Sequence, residues 1–286
     1  MSTSPDRLAT ALSIAGHDPS AGAGVAADLR TFDELGIYGM AVVTSLTYQN
    51  STGVHGRFDV PPDVVVGQLD TLLDDMAPSV FKVGMLGRSD TVAAVTRVLL
   101  QQKGRPVVLD PVLASSNGEP LIDKDGIDAL RRMLPAVTLI TPNNKELTSL
   151  CGFDVFDVND VKAGALMLVK KGARAVLVTG VKVGEGSKAE AADVLLVNDK
   201  YHVFKSPWIE GMRVHGTGCV LSSAIAAFFA MGRDVRTSVA MGRNFTMAAS
   251  KNTIRPGEGN EFASPRGGRR RRHEDYFSFV TPPQVL

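Results

Sequence analysis

The sequence predicts an α/β fold in which helices cover both faces of a largely parallel sheet. From residue 9 to residue 251, short apolar runs of strand length alternate with longer segments whose apolar residues recur at helical spacing. Alternating strands and helices are typical of parallel βαβ units. The 286-residue chain is 44% hydrophobic, which is enough apolar material for one large α/β domain or two smaller ones.

The strands are predicted from short apolar runs bounded by turn-forming residues, at 9–15, 40–47, 80–86, 106–110, 137–141 and 175–179. Helical spacing follows at 25–35, 64–73, 91–100, 126–134, from 142 onward, 161–171, 221–231 and 236–251. Late in the chain, residues 193–198 and 201–206 flank Asp199-Lys200, which predicts an antiparallel hairpin.

The first predicted helix carries an acid on its apolar side. Asp28 falls on the same side of this helix as Phe32 and Leu35. An unpaired charge there is costly, so Asp28 is either a hydrogen-bond partner at a helix end or a group that binds a ligand.

The glycines before this helix, Gly22 and Gly24, fit a loose dinucleotide-binding pattern. That pattern requires a carboxylate after the next strand to bind a ribose, and the chain reads Tyr48-Gln49-Asn50 there. A dinucleotide-dependent oxidoreductase is therefore disfavoured.

Polar or glycine-bearing segments follow four of the predicted strands. Because the carboxyl ends of parallel strands meet at one edge of a sheet, these segments are expected to converge on a ligand site, although each alone is also an ordinary turn. They are Gly16 to Asp18, Gln49-Asn50, Gly84-Met85 and Asp110-Pro111. Residues 114–120 are either a mobile flap over this edge or a plain surface loop.

Asn143 and Glu146 stand three residues apart at a helix start. They are either ligand-binding groups or a capping box, in which each side chain bonds to the backbone N–H of the other residue.

The segment Gly216-Thr217-Gly218-Cys219 combines a possible anion site with a reactive group. Two glycines allow close approach of the backbone, and helical spacing begins directly after them. A helix N-terminus favours phosphate and lowers the pKa of a thiol placed there. The alternative is a buried and inert Cys219.

Composition limits the partners and the compartment. The net charge is +1, so no global field favours nucleic acid or a membrane, and the run Arg269 to Arg272 is interpreted as a solvated segment. Two cysteines without metal-binding spacing exclude a disulfide framework and favour a reducing cytoplasm. No export signal or membrane span is found in the sequence.

Six motifs in this order resemble those of the hydroxymethylpyrimidine (phosphate) kinases of thiamine biosynthesis, within the ribokinase-like superfamily. They are Ala15 to Gly24 with Asp28, Gln49-Asn50, Lys82 to Leu86, Val108 to Val112, Thr141 to Asn143 with Glu146, and His215 to Cys219. The resemblance covers residues 9–252. It implies a three-layer α/β/α kinase domain over residues 1–264, and leaves residues 265–286 as an Arg-rich C-terminal tail of unassigned role.

The resemblance also implies a reaction and roles for individual residues. An ATP-dependent kinase would phosphorylate 4-amino-5-hydroxymethyl-2-methylpyrimidine and its monophosphate, with Cys219 of the Gly216-Thr217-Gly218-Cys219 cradle accepting the hydroxyl proton. The pyrimidine would be held by Gly16, Asp28, Gln49 and Met85. The nucleotide phosphates and Mg²⁺ would be organised by Asp110, Asn143, Glu146 and Thr179, with the metal on Asp110 and Glu146. The family also implies a homodimer.

One departure from the family pattern leaves alternatives open. Where relatives commonly have a lysine after the late strand, this chain reads Thr179-Gly180-Val181-Lys182, so a phosphate-contacting lysine is either absent or displaced to Lys182. A pyridoxal kinase of vitamin B6 salvage on the same framework, and a pyrimidine-binding relative without catalysis, are the alternatives.

Overall fold

The computed structural model describes residues 8–115, 117–184, 189–208, 214–268 and 284–285. Within these ranges the strands are β1 Thr10–His17, β2 Tyr38–Asn50, β3 Gly53–Asp59, β4 Val80–Val83, β5 Val107–Leu109, β6 Leu139–Ile140, β7 Ala175–Val183, β8 Glu190–Val197, β9 Lys200–Pro207, β10 Val214–His215, β11 Glu261–Phe262 and β12 Gln284–Val285. The α-helices are α1 Gly24–Glu34, α2 Pro62–Asp75, α3 Ser89–Gln101, α4 Gly126–Met133, α5 Asn144–Cys151, α6 Val158–Lys170, α7 Thr217–Ala230 and α8 Val235–Lys251.

Ten strands form one sheet in the order β12-β9-β8-β7-β6-β5-β4-β1-β2-β3. The six central strands, from β7 to β2 in this order, run parallel. The outer strands pair antiparallel, with β3 at one edge and β8, β9 and β12 at the other. The predicted α/β class with a mostly parallel sheet is confirmed.

Helices cover both faces of the sheet because the central strands are buried on both sides. Leu12 and Ile14 of β1 belong to the core shared with α2 to α6, whereas Ala11 belongs to the core shared with α1, α7 and α8. The two cores and the sheet between them form the predicted three-layer α/β/α arrangement. Residues 220–229 of α7 are all buried, which explains why this helix is apolar around its whole circumference.

The strands differ from the sequence analysis in several details: β10, β11 and β12 were not predicted, and the run at 80–86 forms a strand only over Val80–Val83. Strand β3 was not predicted, because an edge strand containing His55, Gly56 and Arg57 lacks a run of apolar residues. The hairpin of β8 and β9 is confirmed, but its turn lies one residue earlier than predicted. Asn198 and Asp199 hold positive φ angles of 49° and 60°, and these two residue types tolerate that conformation best.

The segment 114–120 is anchored at both ends. Ala114 and Pro120 form an antiparallel bridge, and Arg57 on β3 donates a 3.0 Å hydrogen bond to the Pro120 carbonyl. The suggested movement of this segment stays a prediction.

The C-terminal region is described only in part. A 3-10 turn at Pro265–Gly268 packs against α8 and α1, and Gln284–Val285 pairs with β9. The run Arg269 to Arg272 lies outside the described residues. Pro265 is buried, and the domain boundary after residue 264 stays a prediction. None of the helices described here has the length and apolar character needed to cross a bilayer.

Candidate active site

A cavity of about 480 Å³ opens at the carboxyl ends of the parallel strands. Its walls come from the ends of β1, β2, β4, β5 and β7, from the starts of α5 and α7, and from the 114–120 segment. Eleven of the twelve predicted site residues line it. They are Gly16, Gln49, Met85, Asp110, Asn143, Glu146, Thr179, Gly216, Thr217, Gly218 and Cys219.

The cradle at the start of α7 depends on a close approach of two loops. Gly216 has a φ of +82°, and a Cβ added there would lie 1.9 Å from the Gly22 carbonyl oxygen. The first helical bond of α7 runs from the Val220 N–H to the Gly216 carbonyl. The preceding N–H groups therefore have no partner within the helix, and they belong to residues that line the cavity. The start of α7 therefore has the backbone arrangement that an anion site requires.

The electrostatics of Cys219 differ from the sequence analysis. Burial raises the pKa of the thiol to about 12, and the charge of Lys82 and the Gly24 N–H only partly offset this. The negative charges of Asp28 and Asp110 raise it further. The prediction of a lowered pKa is therefore wrong for the free protein, because burial and the neighbouring carboxylates outweigh the charge of Lys82 and the Gly24 N–H.

Asp28 is the one predicted site residue that does not reach the cavity. Its carboxylate is fully buried and binds the Lys82 ammonium through both oxygens, at 2.8 and 2.9 Å. It also accepts hydrogen bonds from Ser13 Oγ at 2.6 Å and Ser223 Oγ at 2.7 Å. The prediction that Asp28 contacts the pyrimidine is corrected, because its oxygens are occupied beneath the floor of the cavity.

Lys82 itself was missed as a site residue. It lies on β4, lines the cavity and remains charged, because Asp28, followed by Cys219 and Asp110, raises its pKa against the lowering effect of burial. A lysine inside the apolar run Val80-Phe81-Lys82-Val83 was the available signal, since it needs a buried acid and Asp28 needed a buried base.

Asp110 and Glu146 both line the cavity, and the charge of Asp110 acts on Glu146. Burial raises the pKa of Asp110, and Lys82 and Ser222 oppose this only in part. Burial and then the charge of Asp110 raise the pKa of Glu146 to about 8. The capping box is also real, since Asn143 Oδ1 accepts from the Glu146 N–H at 3.0 Å and Glu146 Oε2 accepts from the Asn143 N–H at 2.8 Å.

These two carboxylates fit a divalent cation. Burial raises the pKa of both carboxyl groups, and the charge of Asp110 raises the pKa of Glu146 further; a bound cation would favour the ionised form of both. The described residues contain no group of three or more His, Cys, Asp and Glu side chains placed to hold a metal. Two carboxylates with waters and substrate phosphates are the usual ligands of Mg²⁺ in phosphotransferases, so the residues fit this ion.

Thr179 lies on the cavity wall, at the position where the resemblance implied a lysine in the family pattern. Its N–H donates to the Pro142 carbonyl at 2.9 Å, and β7 shifts register between Val178 and Val181. Lys182 does not line the cavity, and its ammonium lies 5.3 Å from the centre of the Trp208 ring. Among the described lining residues Lys82 is the only lysine or arginine, so the suggested displacement to Lys182 is not supported.

Gln49, Gly16 and Met85 also line the cavity. A Cβ on Gly16 would lie 3.2 Å from the Met85 sulfur, so a glycine at this position leaves room for the apolar, polarisable Met85 side chain. Gln49 Nε2 lies 3.2 Å from Asp18 Oδ2 and 3.0 Å from His215 Nε2. The sequence indicated no role for Asp18 and His215, because the two residues that meet here are almost 200 positions apart in the chain.

Comparison with known proteins decides the family. A family model described as phosphomethylpyrimidine kinase matches residues 18–263. The chain belongs to the phosphomethylpyrimidine kinase family. The hydroxymethylpyrimidine/phosphomethylpyrimidine kinase of Aquifex aeolicus is 39% identical over 252 residues, covering 88% of this chain and 98% of the relative. The enzyme of that name from Salmonella typhimurium is 41% identical and covers 76% and 81%.

Solved structures confirm the ribokinase-like fold of this phosphomethylpyrimidine kinase family member. A Staphylococcus aureus pyridoxal kinase in complex with ADP superposes with a TM-score of 0.82 at 27% identity, covering 98% of both chains. A phosphomethylpyrimidine kinase from Clostridium difficile superposes with a TM-score of 0.73 at 29% identity, covering 84% of this chain and 98% of the other.

Proposed function

We propose that this chain is an ATP-dependent kinase that phosphorylates 4-amino-5-hydroxymethyl-2-methylpyrimidine and then its monophosphate, for thiamine biosynthesis. The observation that carries this proposal is one cavity lined by two kinds of group. We propose the part lined by Gln49 and Met85 as the ring end, and the part lined by Asp110, Glu146 and the start of α7 as the anion end. The names of the relatives supply the substrate class.

The ring end suits a small aromatic heterocycle. Met85 offers an apolar and polarisable surface, and Gln49 offers a hydrogen-bonding edge. A ring held between them would direct its hydroxymethyl substituent toward Cys219 and the start of α7, which line the same cavity.

The anion end suits the transferred phosphoryl group. Phosphoryl transfer is accelerated mainly by alignment and by neutralisation of the charge that spreads over the phosphoryl oxygens. The N–H groups of Thr217, Gly218 and Cys219 supply positive dipole ends at the cavity wall, and the Lys82 ammonium adds a full charge.

Asp110 and Glu146 would hold Mg²⁺, and Asn143 and Thr179 would line the nucleotide path. When bound, the ion supplies charge neutralisation for the phosphates. Both carboxylates must be ionised to hold a cation, and Lys82 favours this for Asp110.

Cys219 is proposed as the group that takes the hydroxyl proton. Its pKa of about 12 makes the free protein carry a thiol rather than a thiolate at neutral pH. A thiol cannot take a second proton, so the step requires the thiolate: Cys219 first gives its own proton to solvent, and Sγ then accepts the hydroxyl proton as the new O–P bond forms and the bond from the γ-phosphoryl group to ADP breaks. Until then Sγ serves as a hydrogen-bond partner of the hydroxyl.

A pyridoxal kinase is the second candidate, and the superposition with the S. aureus pyridoxal kinase over 98% of both chains favours it. Pyridoxal also carries a hydroxymethyl group on a six-membered nitrogen ring. The two candidates differ at the ring edge that Gln49 faces, where the pyrimidine presents an amino group and pyridoxal presents oxygen atoms.

The test is release of ADP with Mg-ATP and, separately, the hydroxymethylpyrimidine, its monophosphate and pyridoxal, with product masses recorded. Turnover on the first two supports the proposal, and turnover on pyridoxal alone replaces it with the second candidate. Ligand binding without turnover on any of the three would mean a binding protein. Cys219→Ala serves as the control for contaminating kinases, because it should remove turnover from the same preparation.

The remaining expectations concern the whole protein. We propose a homodimer that acts in the cytoplasm on small molecules, with no nucleic-acid or membrane partner. Light scattering after gel filtration tests the dimer, because a mass near 30.4 kDa would mean a monomer.

A further inference from the structure

The side chains of Asp18, Gln49 and His215 meet at one point of the cavity wall. Asp18 Oδ2, Gln49 Nε2 and His215 Nε2 form a triangle with sides of 3.0, 3.2 and 3.5 Å. Asp18 follows β1, Gln49 lies near the end of β2, and His215 ends β10 directly before the cradle. Three separate segments therefore converge on the amide of one side chain.

Asp18 determines which end of this amide faces it. The carboxylate is buried, and its Oδ1 accepts from the Ser20 N–H and hydroxyl at 2.8 and 2.6 Å. Its Oδ2 accepts from the Ala23 N–H at 2.9 Å and lies 3.2 Å from the Gln49 nitrogen. Burial raises the pKa of Asp18, but the neighbouring His215 ring and the hydrogen bonds from Ser20 hold it below its usual value, so the group remains an acceptor. A carboxylate only accepts, so Gln49 must turn its NH₂ group toward Asp18.

His215 takes the second N–H of that group. His215 Nε2 lies 3.0 Å from the Gln49 nitrogen, which can only donate, so this contact is a hydrogen bond when Nε2 accepts and the ring carries its proton on Nδ1; the 3.5 Å distance to Asp18 is the longest side of the triangle. The ring cannot easily turn away. It packs against Phe262 with a centroid distance of 5.3 Å, and a Cβ on Gly22 would lie 2.8 Å from its Cδ2.

With both N–H groups engaged, the carbonyl oxygen is the part of the Gln49 amide that can serve a ligand. Thr47 Oγ1 lies 3.3 Å from this oxygen and 2.9 Å from the His17 carbonyl. A carbonyl oxygen has two lone pairs, so at least one remains for a substrate.

We infer that Asp18 and His215 are positioning residues that hold Gln49 with its carbonyl oxygen available, and so select a ring that carries an amino group. This inference rests on the proposed function and adds the basis of its substrate preference. An amino substituent donates to the oxygen. A ring with a carbonyl or phenolate oxygen at the same edge places two acceptors against each other, and sites built around one hydrogen-bond pattern reject the mismatched analogue strongly.

The experiment compares wild type with His215→Leu and His215→Gln. Leucine removes the acceptor and frees the Gln49 amide to rotate, whereas glutamine can place an oxygen near the position of Nε2. The readouts are kcat and KM for the aminopyrimidine and for ATP. Binding of the aminopyrimidine and of its 4-oxo analogue is measured separately by calorimetry.

We expect His215→Leu to raise KM for the aminopyrimidine about tenfold, with kcat and KM for ATP within about threefold of wild type. The preference for the amino over the oxo ring should fall by a similar factor. His215→Gln should recover most of both losses. If His215→Leu does not fold, Gln49→Leu removes the amide itself and must lower the preference in the same way.

Several results would overturn the inference. An unchanged amino-to-oxo preference in His215→Leu is one, and a joint rise of KM for pyrimidine and ATP that glutamine does not rescue is another, since it would mean a structural role. Wild-type protein that turns over neither ring would refute the proposed function instead. In that case the calorimetric preference and its loss on His215→Leu still test the positioning role.

Discussion

At the scale of single residues, Asp28 and Lys82 form an ion pair that is fully buried in the protein. Both side chains have no exposed area, and Ser13 and Ser223 complete the hydrogen bonds of the carboxylate. Such pairs add little stability over an apolar pair, but the loss of one partner leaves an uncompensated charge inside the protein. The pair therefore makes the floor of the cavity sensitive to either residue.

Asp28→Asn is expected to lower the free energy of unfolding by about 3 kcal/mol or more, because Lys82 loses its main counter-charge. Lys82→Met should have a comparable cost, and the double variant should lose less than the sum of the two. Urea unfolding measures all three. Glu190→Gln is the control, since its pair with Lys205 has the same 2.8 Å distance but is exposed and should cost less than about 1 kcal/mol.

The same variant tests the corrected role of Asp28. The affinities for pyrimidine and ATP should fall together or stay unchanged, because Asp28 does not line the cavity. A selective loss of pyrimidine binding would restore Asp28 as a ligand-binding group.

Cys219 offers a prediction about pH. A pKa raised to about 12 means that the reactive thiolate is a very small fraction of the thiol at pH 7.5. Alkylation of Cys219 by iodoacetamide should be at least tenfold slower than that of glutathione, and should rise about tenfold per pH unit up to pH 10. The measurement uses a Cys151→Ser background, because Cys151 is also free. A rate that levels off below pH 8 would mean that the helix end prevails over burial.

Sequence reasoning located residues better than it identified their partners. Gln49, Asp110 and Cys219 lie in the cavity because strand ends and helix starts converge in any parallel sheet. For Asp28 the sequence offered only the hint of Lys82 inside an apolar strand, because periodicity indicates the face of a helix but not which of the later strands packs against it. Lys82 follows 54 residues later, and only the sheet order β4-β1-β2 brings it under α1.

At the scale of elements, the start of α7 depends on a glycine that no other residue can replace. Gly216 combines a positive φ with a contact so close that a Cβ would overlap the Gly22 carbonyl. A glycine just beyond the C-terminal end of α7 offers a comparison for Gly216. Gly232 has a φ of +78°, nearly the same as Gly216, but a Cβ there would meet nothing within 4 Å.

Gly216→Ala and Gly232→Ala therefore separate backbone strain from displacement of the cradle. Each should cost about 1 to 2 kcal/mol for a side chain in the left-handed region. Only Gly216→Ala should also push α7 away from the Gly22 loop, and we expect it to lower kcat/KM for Mg-ATP at least a hundredfold while Gly232→Ala stays within about twofold. Equal activities in the two variants would show that the cradle does not depend on this contact.

The elements that the sequence revealed are the ones with strong periodicity or a clear turn. Helices such as α3 and α8 were predicted within two residues of their ends, because their apolar residues keep regular spacing. Strand β3 lacks that spacing, since its only neighbour is β2 and much of it is accessible to solvent. Its presence became clear only from the pairing of Leu46 with Phe58 and of Thr47 with Arg57.

At the scale of the whole molecule, the site joins the beginning of the chain to its end. The loop after β1 contacts the cradle before α7 through Gly22 and Gly216, and β10 in turn is held by β11. His215 and Phe262 are paired residues of these two short strands, and the Ala263 N–H donates to the His215 carbonyl. The part of the cavity wall formed by His215 and the cradle therefore depends on residues that follow α8.

Truncations at three positions test this dependence and the proposed boundary after residue 264. Ending the chain after Gly268 removes β12 from the edge of the sheet and should lower Tm by only a few degrees, with activity retained. Ending it after Ser264 also removes the turn that packs on α8 and α1, so a larger loss of Tm is expected with the cavity still intact.

Ending the chain after Asn260 removes Phe262, and β10 then lacks its partner strand, so His215 loses its support and kcat/KM for the pyrimidine should fall at least tenfold. Thermal melts rank the Tm values of the three truncated proteins, and the ADP-release assay ranks their activities. Full activity after truncation at Asn260 would mean that β10 and His215 keep their places without β11, and that the site is complete within the first 260 residues.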